Sequence, residues 1–202
     1  MPIPSPARIR ALHEKHAPSA EAFDLVFTHC EIVWRIAEQL LTAPGGDGVD
    51  AELVRAGCLL HDIGVYRLFD DAGRLDHGGY VRHGLLGHDL LAAEGLPETL
   101  CRFCSCHTGV GLTAADVLAQ GLPLPPADYV PVTREERLVM YADKFHSKST
   151  PPRFLSFPAY TEQLRRFGEE KVAGFHALRA EFGEPELGPL AAAHGHALTE
   201  RN

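Results

Sequence analysis

The sequence has no run approaching the roughly 20 continuous apolar residues that a bilayer span requires, so a membrane-crossing helix is not expected. It has no excess of basic charge either. Lys and Arg number 19 against 27 Asp and Glu, a formal net charge of −8, with the acidic residues scattered along the chain. A nucleic-acid polymer is therefore excluded as a partner; a small anion is not, because bound divalent cations invert the field locally. The opening Met1-Pro2-Ile3-Pro4-Ser5-Pro6 lacks a basic cluster, an apolar run and a small-residue cleavage site, and a cytoplasmic protein is expected. Cysteine is too sparse and too unevenly placed for a disulfide framework: of five, three crowd into Cys101, Cys104 and Cys106, which suits reduced thiols. Sustained period-two alternation, internal repeats and low-complexity tracts are all missing. With 45% apolar and 23% charged residues over 202 positions, the remaining expectation is one ordinary all-α domain.

What is present is helical punctuation. From about 19 to 43, Phe23, Val26, Phe27, Cys30, Val33, Trp34, Ala37, Leu40 and Leu41 recur at three- and four-residue steps before Pro44-Gly45-Gly46. Asp50 caps a second helix that runs through Leu60 into His61-Asp62-Ile63, with Gly64 expected to close its C-terminus. A polar, Gly-rich insertion, Asp70–Gly79, precedes a third pattern over 80–95. Further helices are expected over 97–107, behind Pro97, and over 113–120, capped by Thr113. A loop spans Gly121–Pro131, and Thr133 with Glu136 forms a capping box for a helix reaching Asp143. Pro151-Pro152 divides a catalytic domain, 1–150, from a C-terminal helical extension, 151–202, with helical patterns around 158–182 and a fraying tail that carries His194 and His196.

Twelve histidines are many for this length, and several fall where apolar residues belong. His29 shares the face of Val26, Val33 and Ile36, so it points inward, where each ring nitrogen needs a partner. His61-Asp62 ends an apolar helix and sets an imidazole beside a carboxylate able to bridge two cations. His88-Asp89 is the same dipeptide in mid-helix, turned by roughly 140° from His83, and reads as a solvated face. His83 precedes Gly84 and Gly87, where another helix can pack closely; His107 ends a helix; Asp143 shares a face with Val139 and Met140 and needs a cation, or else Arg137 or Lys144. Cys101, Cys104 and Cys106 lack a second ligand pair and read as small buried residues, with Cys106 a candidate for oxidation beside His107.

The ordered set His29, His61-Asp62, His83, His107, Asp143 resembles the HD superfamily of metal-dependent phosphohydrolases, and His61-Asp62-Ile63-Gly64 spells the HDIG signature of one subgroup. The resemblance runs over about residues 23–148. Similarity to a bacterial group of HDIG hydrolases extends to His83-Gly84-Leu-Leu-Gly87, His107-Thr-Gly-Val-Gly-Leu-Thr113 and Met140-Tyr-Ala-Asp-Lys144. It implies a binuclear site in which His29, His61, Asp62 and Asp143 hold one divalent transition metal, while Asp62 bridges to a second held by His83 and His107. Imidazole with carboxylate suits Fe, Mn, Co, Ni or Zn. The implied reaction is hydrolysis of a phosphate ester or anhydride of a small molecule, such as a nucleotide or phosphomonoester, by water activated between the two metals. Asp62, His61 and Lys144 are the candidate catalytic residues, and Lys144, Arg82 and Arg67 the candidate phosphate contacts.

Two rivals share the ligand set. One is an HD-fold di-iron oxygenase, distinguished by mixed-valent iron and oxygen uptake. The other is a non-catalytic regulatory module, which Asp62→Ala would leave unaffected. The oligomeric state, monomer or homodimer, is left open: the C-terminal phenylalanines, Phe154, Phe157, Phe167, Phe175 and Phe182, are expected to complete the core, with a contact between copies as the alternative.

Overall fold

The computed structural model describes residues 3–200, so the Met1-Pro2 start of the stretch read for a signal lies outside it. Among the described residues the chain forms ten α-helices and one small sheet, an all-α fold. The central element is α2, Ala20–Thr42, capped by the Ser19 hydroxyl on the Ala22 amide. Its inward stripe of Val26, Cys30, Val33, Ile36, Ala37 and Leu40 is buried against α3 (Ala51–Leu60) and α7 (Arg134–Asp143). Burial of each large aliphatic chain on such a stripe contributes about 1.5–3 kcal/mol. Both neighbours start where the sequence places their caps: the Asp50 carboxylate accepts from Glu52 and Leu53, and Thr133 with Glu136 closes a reciprocal box. α4 (His83–Ala93) packs on α5 (Glu98–Ser105), and α6 (Ala114–Ala119) follows behind the Thr113–Asp116 box.

Gly64 does not close α3. The chain continues from His61 into a 3₁₀ segment, Ile63–Leu68, and Gly64 has no left-handed backbone. Its missing side chain serves packing: a Cβ there would lie 2.1 Å from the His83 carbonyl oxygen and 2.3 Å from the Gly87 nitrogen.

Of the two terminal segments, the first has no reading from the sequence and the second differs from its own. Pro6–His16 is a helix, α1, with Pro6 in its first turn and the Ser5 hydroxyl accepting from Arg8; it buries Ile9, Leu12 and His13. The tail expected to fray instead forms α10 (Gly188–His194) and a strand, β3 (Ala197–Thr199). That strand runs parallel to β2 (Arg153–Leu155), which pairs antiparallel with β1 (His146–Ser147) across the expected boundary at 150. Strands of two or three residues are too short to show alternation, which is why the sequence reads as purely helical. Between them, α8 (Phe157–Leu164) and α9 (Glu169–Phe182) complete the core: Phe157 stacks on Phe175 at 4.5 Å, and the Tyr141 hydroxyl donates to the Gly183 carbonyl at 2.8 Å. No helix among the described residues is long and apolar enough to cross a membrane.

Candidate metal centre

The six side chains singled out from the sequence converge although they come from five separate places. His29 comes from α2, His61 and Asp62 from the end of α3, His83 from the first residue of α4, His107 from just beyond α5, and Asp143 from the end of α7. They form two groups that share Asp62: His29, His61, Asp62 and Asp143, and then Asp62, His83 and His107. Within each group the ligating atoms lie within 4.8 Å of one another. His29 Nε2 is 3.0 Å from Asp143 Oδ1 and 3.2 Å from Asp62 Oδ2, while His83 Nε2 is 3.3 Å from Asp62 Oδ1.

The chemistry of this donor set calls for cations. His61, His83 and His107 each turn Nδ1 onto a backbone carbonyl, of Cys58 (2.7 Å), Tyr80 (2.6 Å) and Phe103 (3.0 Å). A carbonyl can only accept, so Nδ1 carries the proton and, in the neutral ring, the Nε2 lone pair faces the cluster. His83 Nε2 and His107 Nε2 then meet at 2.9 Å, lone pair to lone pair. Burial depresses His83 to about 3 and lowers His107 too, so neither ring readily supplies a proton to relieve the contact. Asp62 Oδ1, fully buried, has no hydrogen-bond partner. An orphaned carboxylate oxygen beside two opposed lone pairs is costly unless a positive charge sits among them. The residues therefore fit a divalent cation.

Other charges hold the cluster together. Burial opposes ionisation of Asp62, yet the Lys148 ammonium, which donates to Oδ2, and His61 hold it well below the usual carboxylate range. Asp143 is likewise held down against burial by Lys144. For His61 burial is outweighed by Asp62 and neighbouring groups, which push it well above its ordinary value.

Of the candidate phosphate contacts, Lys144 is already committed: its buried ammonium donates to the His107 carbonyl (2.8 Å) and to Asp143 Oδ2 (2.6 Å). This is one of the ion pairs the sequence offers for Asp143. Arg67 and Arg82 are exposed and do not line the cavity over the cluster. That cavity, about 480 Å³, is bordered by Asp62, His83, His107, Asp143, Tyr80 and Lys148, with Leu75 and His77 of the insertion at its wall. Lys148 is the cation that sequence reading missed; it lies one residue past the strand after Asp143, a spacing that no helical pattern marks. His146 was missed for the same reason: its Nδ1 lies 2.8 Å from His29 Nδ1, and burial and His29 depress it to about 2.

His88 stands outside the cluster, bonded to Ser105 and near Glu98. All five cysteines are buried free thiols. Cys101, Cys104 and Cys106 are the small buried residues expected, and burial pushes the thiol of Cys106, the candidate for oxidation, up to about 12.

A helical domain carrying this arrangement defines a class. The chain belongs to the HD domain family, whose model matches residues 26–148. An uncharacterized protein of Methanocaldococcus jannaschii is 40% identical over 120 residues, 58% of this chain and 64% of that protein. A tRNA (cytidine(56)-2'-O)-methyltransferase of Picrophilus torridus is 34% identical over 129 residues, 64% of this chain and 33% of that protein. The chain thus spans between one third and just under two thirds of the length of these two relatives. In fold it is similar to the HD domain of the L. monocytogenes phosphodiesterase PgpH, with a TM-score of 0.53 at 17% identity over 93% of this chain and 97% of that one. The same domain in complex with cyclic-di-AMP gives a TM-score of 0.54 at 16% identity.

Proposed function

We propose that the protein is a metal-dependent phosphohydrolase acting on a small phosphorylated molecule, with one cation held by His29, His61, Asp62 and Asp143 and a second by Asp62, His83 and His107. The observation that carries this reading is the buried, partnerless Asp62 Oδ1 facing the opposed Nε2 atoms of His83 and His107. Bound divalent cations supply Lewis acidity and a nucleophile at neutral pH. The chain's own part is positional. Asp62 offers one oxygen to each group, and the carbonyls behind His61, His83 and His107 fix those rings so that nothing reorganises as charge develops. Lys148, paired with Asp62, leans over the Tyr80 ring, 5.7 Å from its centre, at the wall of the cavity; a cation held by Asp62 would release this ammonium to serve as the phosphate contact in place of Lys144, Arg67 and Arg82.

A second cavity of about 340 Å³ adjoins the first and shares Val81, Thr108, Gly109 and Tyr160 with it. Its wall is mainly apolar, with Val110, Leu112, Leu122, Leu164 and Phe167, and its Lys171 is already neutralised by Asp116 at 2.6 Å. This supports a substrate with a partly apolar organic part, such as an aryl phosphomonoester or a nucleotide, whose polar edges Arg166 and Gln120 of the same wall could meet. The PgpH domain that takes cyclic-di-AMP is a neighbour in fold only.

The test is phosphate release from a panel of nucleotides, sugar phosphates and aryl phosphates by protein loaded with Mn²⁺, Co²⁺ or Ni²⁺, beside Asp62→Asn. Loss of several kcal/mol of transition-state stabilisation, about a thousandfold in rate, is expected for the variant. Full activity in Asp62→Asn, or oxygen uptake by a mixed-valent iron form without phosphate release, overturns the reading.

A further inference from the structure

The four histidines of the cluster are not supported alike. His61, His83 and His107 rest Nδ1 on backbone carbonyls of their own helical turns, three or four residues away. His29 has a different support: its Nδ1 lies 2.8 Å from Nδ1 of His146, a residue 117 positions further along the chain. His146 in turn sets Nε2 3.1 Å from Nδ1 of His196. The rings follow one another in series, with centroids 5.1 Å apart and 27° between planes for His29 and His146, then 5.3 Å and 20° for His146 and His196. Phe154 meets the His146 ring edge to face at 4.8 Å.

Hydrogen-bond logic gives this row a direction. If His29 Nε2 gives its lone pair to a cation, its proton is on Nδ1 and is donated to His146 Nδ1. His146 must then accept at Nδ1 and carry its own proton on Nε2, which it donates to His196 Nδ1. His196 arrives there because β3 pairs with β2 while β2 pairs with β1, where His146 stands opposite Phe154. The small sheet in an otherwise helical fold thus joins the C-terminal segment, which lies beyond the family match at 26–148, to one metal ligand.

We infer that His146 and His196 are positioning residues for His29, and that the C-terminal strand thereby sets the metal affinity of the His29–His61–Asp62–Asp143 position selectively. The inference rests on the binuclear reading above. The position formed by Asp62, His83 and His107 has no contact with this row beyond Asp62 itself, so removing the row weakens one position and leaves the other.

The test is Co²⁺ titration of the full chain, followed by visible absorption, which reads stoichiometry and affinity without any substrate. His146→Leu is expected to lose about 10–100-fold in affinity at one of two positions, the scale typical of second-layer ligand partners. His146→Asn, whose amide oxygen accepts from His29 Nδ1, recovers most of it. His196 is only half-buried, so His196→Ala tests the row without threatening the fold and is expected to lose a fewfold, about 3–10, at the same position. In the zinc-loaded protein, ¹⁵N spectra of the imidazoles are expected to show His146 with its proton on Nε2. Unchanged affinity in His196→Ala, equal weakening of both positions in any variant, or a proton on His146 Nδ1 overturns the inference. Wild-type protein that binds no Co²⁺ overturns the binuclear reading itself, whereas two normal positions in every variant overturn this inference alone.

Discussion

Gly64 and Gly87 touch backbone to backbone: a Cβ on Gly64 would lie 2.3 Å from the Gly87 nitrogen and 2.6 Å from its Cα. The fourth residue of the His61–Gly64 motif therefore matters because it lets α4 approach the end of α3. That approach brings His83 within 3.3 Å of Asp62. Gly64→Ala must push α4 away. The expected result is a loss of about 1–3 kcal/mol in urea unfolding, from overpacking, together with loss of the metal position that uses His83. A variant that is destabilised yet still binds two Co²⁺ normally would separate packing from ligand placement and refute this account.

Lys144 and Lys148 should fail in different ways. Lys144→Ala strips Asp143 of its buried partner and leaves the His107 carbonyl without its donor, so weakened metal binding and a stability loss of about 3–5 kcal/mol are expected. Lys148→Ala takes the ammonium away from Asp62, so weaker metal binding is expected here too; at saturating metal it is still expected to lose about 10–100-fold in kcat/KM toward phosphorylated substrates, the worth of one charged hydrogen bond. Metal stoichiometry and steady-state kinetics on the same two variants decide between the roles.

Metal uptake should release protons. Without a cation, Asp62 and its neighbours raise His61 well above its ordinary value despite burial, so the ring holds a proton that a metal must displace. Affinity at the position using His61 is expected to rise with pH and to fall as acid restores that proton. Calorimetry of Zn²⁺ binding in buffers of different ionisation enthalpy measures the release, and a value of zero at neutral pH would contradict it.

His13 gives a pH dependence of stability that is separate from the metals. It is fully buried, with Nε2 on the Leu59 carbonyl at 2.7 Å and Nδ1 on the Tyr66 hydroxyl at 2.8 Å, and burial lowers it from 6.5 to about 4. The unfolded chain binds this proton more readily, so the contribution is complete above pH 6.5 and is lost as pH falls toward 4. The lost stability amounts to about 3 kcal/mol. Urea unfolding of the metal-free protein between pH 7 and 4 is expected to show this slope, and His13→Gln to flatten it; equal slopes in both would remove His13 from the explanation.

The features legible in the sequence are those written locally. Asp50, Thr113 and Thr133 mark helix starts by side-chain chemistry within three residues of the amides they cap, and each does cap a helix. The inward position of His29 follows from steps of three and four along a single helix. What stayed hidden depends on partners far away in the chain. His146 makes sense only beside His29 and His196, and Gly64 only beside Gly87. Helix α1 carried a usable signal, Ser5 before Pro6, but its buried residues, Ile9, Leu12 and His13, are too few to mark a stripe among charged neighbours.

The two adjoining cavities draw their walls from different stretches of chain. Asp62, His83, His107 and Asp143 stand at one, while residues 110–122 and 164–171 furnish most of the other. On the proposed reading, substitutions in the second set would retune which compounds are accepted without touching any of the six side chains that gather at the first, so selectivity and reactivity are separable by mutation.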